Sequence, residues 1–148
     1  MQAHILAPAA VLVLWTLVML VWAAATRLPA LGKLGGIANA KPGGRGQDLE
    51  GVIDDRINWK SHNYSHLVEQ PTLFYATVLI LAVMGAGALD VTLAWIYVAL
   101  RIVHSLWQAL VNRVPVRFLL FVLATLCLVV LAIHALMLTL FANPAVLA

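Results

Sequence analysis

Five polar side chains, Arg101, His104, Ser105, Gln108 and Asn112, recur at i, i+3, i+4, i+7 and i+11 along and just beyond an otherwise apolar run from Leu89 to Val111. On a helix that spacing puts them on one face. The run is long enough to cross a bilayer. A helix starting near Asp90 would carry Arg101 about 16 Å deep, close to the midplane. An arginine at that depth costs about 2.5 kcal/mol or more, so it is expected to face protein, find an anionic partner and serve a task. A second stripe, His62, Asn63, His66, Glu69 and Gln70, precedes Pro71, and Leu67 and Val68 are expected to turn away from it.

Glu69 is the acidic residue placed to meet Arg101 within the membrane, and pairing would reduce the cost of both charges. One carboxylate does not balance Arg101, Arg113, Arg117 and the histidines, so the mouth stays positive. Such a site attracts a small anion, for example a carboxylate-bearing peptide or a lipid headgroup. The alternative is an ion pair that holds helices together without a ligand. His62 and His66 lie four apart with Glu69 three further on, a spacing within reach of zinc. Residues 62–66 read H-N-Y-S-H, lacking the glutamate of the H-E-x-x-H hydrolase motif, so no metal is assigned. Pro71 removes a backbone donor and can kink its helix beside Glu69, where polar character gives way to apolar.

The elements that must carry these stripes are legible in the composition. The chain has 148 residues, is 64% hydrophobic and carries only 10% charged side chains, against about 25% in a soluble domain. One small membrane domain of all-α class is expected, an up-down four-helix bundle with spans near 5–28, 55–84, 90–111 and 116–141. Asn143 and Pro144 would end the last. Residues 1–26 are read as a retained span because they lack a basic n-region and their apolar stretch is too long for a signal peptide. The first connection holds seven glycines between Gly32 and Gly51, with Pro29 and Pro42 as punctuation. Cys127, the single cysteine, sits mid-span and forms no intrachain disulfide. His4 and His134 belong to the outer half as packing or interfacial residues, and the five tryptophans read mostly as interface anchors and lipid-facing bulk.

All nine Lys and Arg fall between Arg27 and Lys60 or between Arg101 and Arg117. The net charge of +3 therefore points to anionic headgroups and membrane lipids, with no nucleic-acid partner. By the positive-inside rule both basic connections face the cytoplasm and both termini face out. The polar half of the second helix and the inner half of the third then share one depth and enclose an inward-opening polar cavity.

The segments 101–104, R-x-x-H, and 113–117, R-x-P-x-R, in this order and separation resemble the MAPEG family, membrane-associated proteins in eicosanoid and glutathione metabolism. The likeness covers nearly the whole chain and is to a divergent, bacterial-type member. It implies a homotrimer with glutathione as co-substrate between subunits. Arg117 corresponds to the arginine that activates the thiol, Arg101 contacts the peptide or organises its site, and Arg113 lies near the mouth. Asn63 and Glu69 are the nearest equivalents of the family's Asn and Glu, and His62 fits the histidine before that Asn. His66, His104 and Gln108 complete the expected binding set. The pattern departs from the family at four points. Asn63 and Glu69 are six residues apart where three is usual, and His66 stands where that Glu would fall. Gln108 replaces a tyrosine, and Phe118 replaces a serine.

The resulting expectation is a glutathione-dependent transferase or peroxidase in a bacterial inner membrane, taking a lipophilic electrophile from the bilayer at its cytoplasmic side. The alternative is a non-enzymatic membrane protein that binds a lipid or small anion in the same cleft.

Overall fold

The computed structural model describes residues 2–142 and consists of four long helices, α1 (Gln2–Lys33), α2 (Asp55–Met84), α3 (Ala88–Leu110) and α4 (Val114–Leu140). Each is long and apolar enough to cross a membrane. The expected stop signals Asn143 and Pro144 lie outside the described residues.

Helix α1 runs past Pro29, which was expected to stand outside it. The actual stop is glycine chemistry. Gly35 adopts φ 101, the Gly36 N–H returns to the Leu31 carbonyl and the Gly35 N–H to that of Gly32. This double closure fits a left-handed residue that lacks a Cβ. The same logic ends α2 at Gly85, whose φ is 103 and whose N–H donates to Leu81. Asp54 opens α2 by accepting the Arg56 N–H at 2.7 Å. Helix α3 begins two residues before its expected start because Asp90 caps from inside the first turn, accepting the Gly87 N–H at 2.7 Å. Asn112, at φ 56, ends α3, and Pro115 lies in the first turn of α4.

Consecutive helices pack as antiparallel hairpins, α1 on α2 and α3 on α4, and α2 also packs on α3. Helix α1 further touches α3, and α4 further touches α2, so α2 and α3 form the central pair. The buried seam combines large residues with small ones. Phe74 stacks on Tyr97 at 4.3 Å between ring centroids, while Ala94, Ala124 and Ala135 let the backbones approach. Leu67, expected to turn away from the polar stripe, is buried on the same α2 face as Asn63, one helical turn along. Leu14, Val21, Leu73, Val83 and Leu119 point outward, an apolar surface suited to lipid. The up-down order brings the connection 34–54 and the 111–113 turn to one end of the bundle. All the lysines and most of the arginines gather there.

Candidate functional site

Arg101 lies about 14 Å from the basic-end terminus of α3 and is fully buried. The expected ion pair with Glu69 does not form. Glu69 is exposed, and no ion pair joins it to Arg101 among the described residues. Arg101 Nη2 instead donates to the His66 backbone carbonyl at 2.8 Å and approaches His66 Nδ1 at 3.2 Å. A guanidinium only donates, so Nδ1 accepts and the ring proton resides on Nε2. The His66 ring is fixed from a second side by His104, stacked at 4.8 Å, and from a third by the edge of Phe121 at 5.5 Å.

Two polar nodes bracket this centre. On one side the fully buried Ser105 Oγ accepts from Asn63 Nδ2 at 2.8 Å and from Trp15 Nε1 at 3.1 Å, joining α1, α2 and α3. Trp15 is thus a half-buried hydrogen-bond donor and not lipid-facing bulk. Trp22 likewise turns to a protein partner, the Lys60 ammonium 5.4 Å from its ring. On the other side Gln70 donates to Thr125 Oγ1 at 2.8 Å and accepts from the Tyr97 hydroxyl at 3.3 Å, joining α2, α3 and α4. Toward the opposite end of the bundle His134 donates to buried Asp90 at 2.7 Å. It is a hydrogen-bonding partner of Asp90 there, not mere packing.

Several buried polar atoms around Arg101 have no protein partner among the described residues: Asn63 Oδ1, Arg101 Nε and Nη1, and Gln108 Oε1. Gln108 also lines a cavity of about 600 Å³ that opens at the basic end. Its other walls are Arg27, Arg45, Gly46, Gln47, Glu50, Ser61, His62, Ser65, His66 and Glu69. Glu50 receives a hydrogen bond from His62 at 3.1 Å, so His62 turns toward the connection and away from His66. Among the described residues no cluster of His, Cys, Asp and Glu has the makings of a metal site.

Arg117 occupies a separate, smaller recess of about 160 Å³ with His66, His104, Val114, Phe118 and Phe121. Its guanidinium donates to Asn112 Oδ1, which the left-handed turn at Asn112 presents to it. His66 is the residue common to the two cavities. Arg113 lines neither. It is exposed at the start of α4, and its carbonyl accepts from Trp107 Nε1 at 3.3 Å.

Arg27, Arg45, Glu50 and Ser61 are site residues that the stripe spacing did not reveal. Arg27 leaves α1 to donate to Ser61 Oγ at 2.6 Å and to the Gly46 carbonyl, pinning the connection over the cavity. A Cβ at Gly46 would stand 2.9 Å from Arg27 Nη1. Gly46→Ala is therefore expected to push the guanidinium aside, weakening binding of an anion in this cavity about threefold to tenfold with little change in thermal stability. Titrating the variant with the anion beside the original protein checks this.

A basic-ended, four-helix membrane protein with a polar centre between α2 and α3 is the class these observations define. The chain belongs to the MAPEG family, whose model matches residues 5–137. Neither a curated protein nor a solved structure matches it.

Proposed function

We propose that this protein is a glutathione-dependent transferase or peroxidase acting on a lipophilic electrophile drawn from the bilayer. The observation that carries the reading is the set of partnerless buried polar atoms of Asn63, Arg101 and Gln108 beside a cavity that holds both charge signs. Buried polar atoms left without partners cost about 1–3 kcal/mol each, so a polar occupant offsets them. Glutathione has two carboxylates, one ammonium and two amides. Arg27 and Arg45 suit the carboxylates, and Glu50 and Glu69 suit the ammonium. The donor set fits the peptide.

Bound glutathione supplies a thiol nucleophile. Arg101, whose Nη2 is committed to His66, is a positioning residue that fixes which His66 nitrogen carries hydrogen. Gln108 and Asn63 offer carbonyl oxygens to amide donors. His62 holds Glu50 at the wall, and His104 supports the His66 ring from behind. Arg117 brings a positive charge to the far side of His66, where it favours a thiolate over a thiol. Arg113, exposed at the basic end and outside both cavities, contributes long-range attraction for anions. A homotrimer would place the Arg117 recess against a neighbouring subunit, completing a cleft between copies.

A second reading has its own support. Arg117 is tied to Asn112 and lines a different cavity from the one the connection covers. That separation suits a non-enzymatic protein holding a lipid or small anion in the same cleft. Incubating the purified protein with glutathione and a lipophilic aryl halide or hydroperoxide distinguishes the two. Conjugate or alcohol forming faster than with glutathione alone supports the enzyme, and no acceleration despite bound glutathione supports the binding protein.

The charge distribution further supports a cytoplasmic basic end with both termini outside. Reporter fusions at the N-terminus, after residue 87 and at the C-terminus are expected to report outside, and one near residue 43 inside. The inverse pattern would reverse the orientation.

A further inference from the structure

A second cavity, of about 670 Å³, lies beside the first, with Arg27, Arg45 and Gly46 forming the partition. Its floor is apolar, made by Leu31 from α1 and by Ile37, Ala40 and Leu49 from the connection. Its polar lining is cationic. Arg27, Lys41 and Arg45 stand against one carboxylate, Asp48, which leaves a surplus of positive charge over an oily floor. We propose that this cavity binds an anionic phospholipid, with part of an acyl chain on the apolar floor and the phosphate on Lys41 and Arg45.

Location favours a lipid over a soluble anion. Helix α1 ends at Lys33, so the cavity sits where a membrane-spanning helix leaves the hydrocarbon and meets headgroups. Leu34 and Ile37 are exposed there and extend the apolar surface from α1 toward the cavity. Charge selects the headgroup. Arg27 is engaged with Ser61 and the Gly46 carbonyl, whereas the Lys41 ammonium is held only at 3.4 Å from exposed Asp48. The Arg45 backbone N–H, with Lys41 adding its charge, holds the Asp48 carboxyl below its ordinary range, so it remains ionised at neutral pH. Asp48 is therefore a built-in competitor for the phosphate. This site does not depend on glutathione, since Lys41 and the apolar floor lie outside the glutathione cavity, and Arg45 is the one phosphate cation that the two cavities share.

Native mass spectrometry of the detergent-purified full chain tests the assignment, with dioleoyl phosphatidylglycerol and dioleoyl phosphatidylcholine as probes at equal concentration. Phosphatidylglycerol should be retained at least about tenfold better, because each basic residue near the phosphate contributes about fivefold. Lys41→Gln with Arg45→Gln should remove that preference, weakening phosphatidylglycerol far more than phosphatidylcholine, whose choline already offsets its phosphate charge. Asp48→Asn should strengthen phosphatidylglycerol binding about threefold to fivefold, a change of opposite sign that general damage would not produce. Ala40→Trp, on an exposed stretch outside the bundle, should block the floor and reduce retention of phosphatidylglycerol at unchanged protein mass and melting temperature. Equal retention of the two lipids, or a preference that survives loss of Lys41 and Arg45, would overturn the proposal. So would oleate binding that follows the same variants while phosphatidylglycerol does not, since that would identify a free fatty acid as the ligand.

Discussion

Replacing Arg117 with alanine is expected to raise the pKa of a bound glutathione thiol by about one to two units, the effect of removing a nearby cation. At neutral pH the thiolate fraction then falls roughly tenfold to a hundredfold, and turnover falls with it. Assembly should survive, because Arg117 is half-buried and its one side-chain hydrogen bond is to Asn112 in a turn. The Asn112 amide is left able to bond water, which limits the structural cost. The informative comparison is the thiol pKa in particles of unchanged mass. A pKa that stays put while glutathione still binds removes Arg117 from thiol activation, and the lipid- or anion-binding reading then gains.

Replacing Arg101 with leucine should separate function from stability. Arg101 is fully buried and, among the described residues, has no carboxylate partner and keeps two nitrogens unbonded. Its charge is costly where it stands, so an apolar substitute of smaller volume should leave the ligand-free protein about as stable as before, or more so. What is lost is the 2.8 Å bond to the His66 carbonyl and the contact that fixes the imidazole. Glutathione affinity is expected to drop about tenfold to a hundredfold, in line with a charge-assisted hydrogen bond of about 1.5–3 kcal/mol. Glu69→Leu should act independently, and its effect should add to that of Arg101→Leu, since the two side chains are not paired. Strong rescue of Arg101→Leu by Glu69→Leu in thermal melts would reinstate an ion pair between them.

Much of the bundle was legible because membrane physics leaves few options. Apolar runs of span length, glycines between them and basic residues at alternate connections define four helices and place their polar faces together. The ends were less legible. Pro29 reads as a stop, yet a proline near the end of a helix gives up only one bond, and the left-handed Gly35 makes the termination. The α3 stripe also emerged as expected, since Arg101, His104, Ser105 and Gln108 are all buried.

The partner of Arg101 was not legible, because the acceptor it uses is chiefly a main-chain carbonyl and side-chain types carry no sign of that. Glu69 shares the stripe's spacing but lies at its exposed edge. Arg27, Arg45 and Glu50 have no periodic relation to either stripe. Arg45 and Glu50 reach the cavity because the glycine-rich connection folds back through short 3-10 turns at Ile37–Asn39 and Gly46–Leu49, and Arg27 because α1 packs on α2 beside Ser61. Arg27 spoke to orientation alone in the sequence. Trp15 offered one unused signal, since an indole N–H turned toward protein needs an acceptor, and Ser105 is the hydroxyl that provides it.

The polar centre between α2 and α3, roofed by Arg27 and Arg45, is expected to receive glutathione and to favour its thiolate. Difference absorbance of the thiolate, recorded while the detergent-purified protein is titrated with glutathione at neutral pH, tests this most directly. A saturable thiolate signal is expected at or below millimolar glutathione, reduced by Arg117→Ala at full occupancy and shifted to higher concentration by Arg101→Leu. The absence of both a signal and measurable binding at millimolar glutathione, from folded protein, would contradict it.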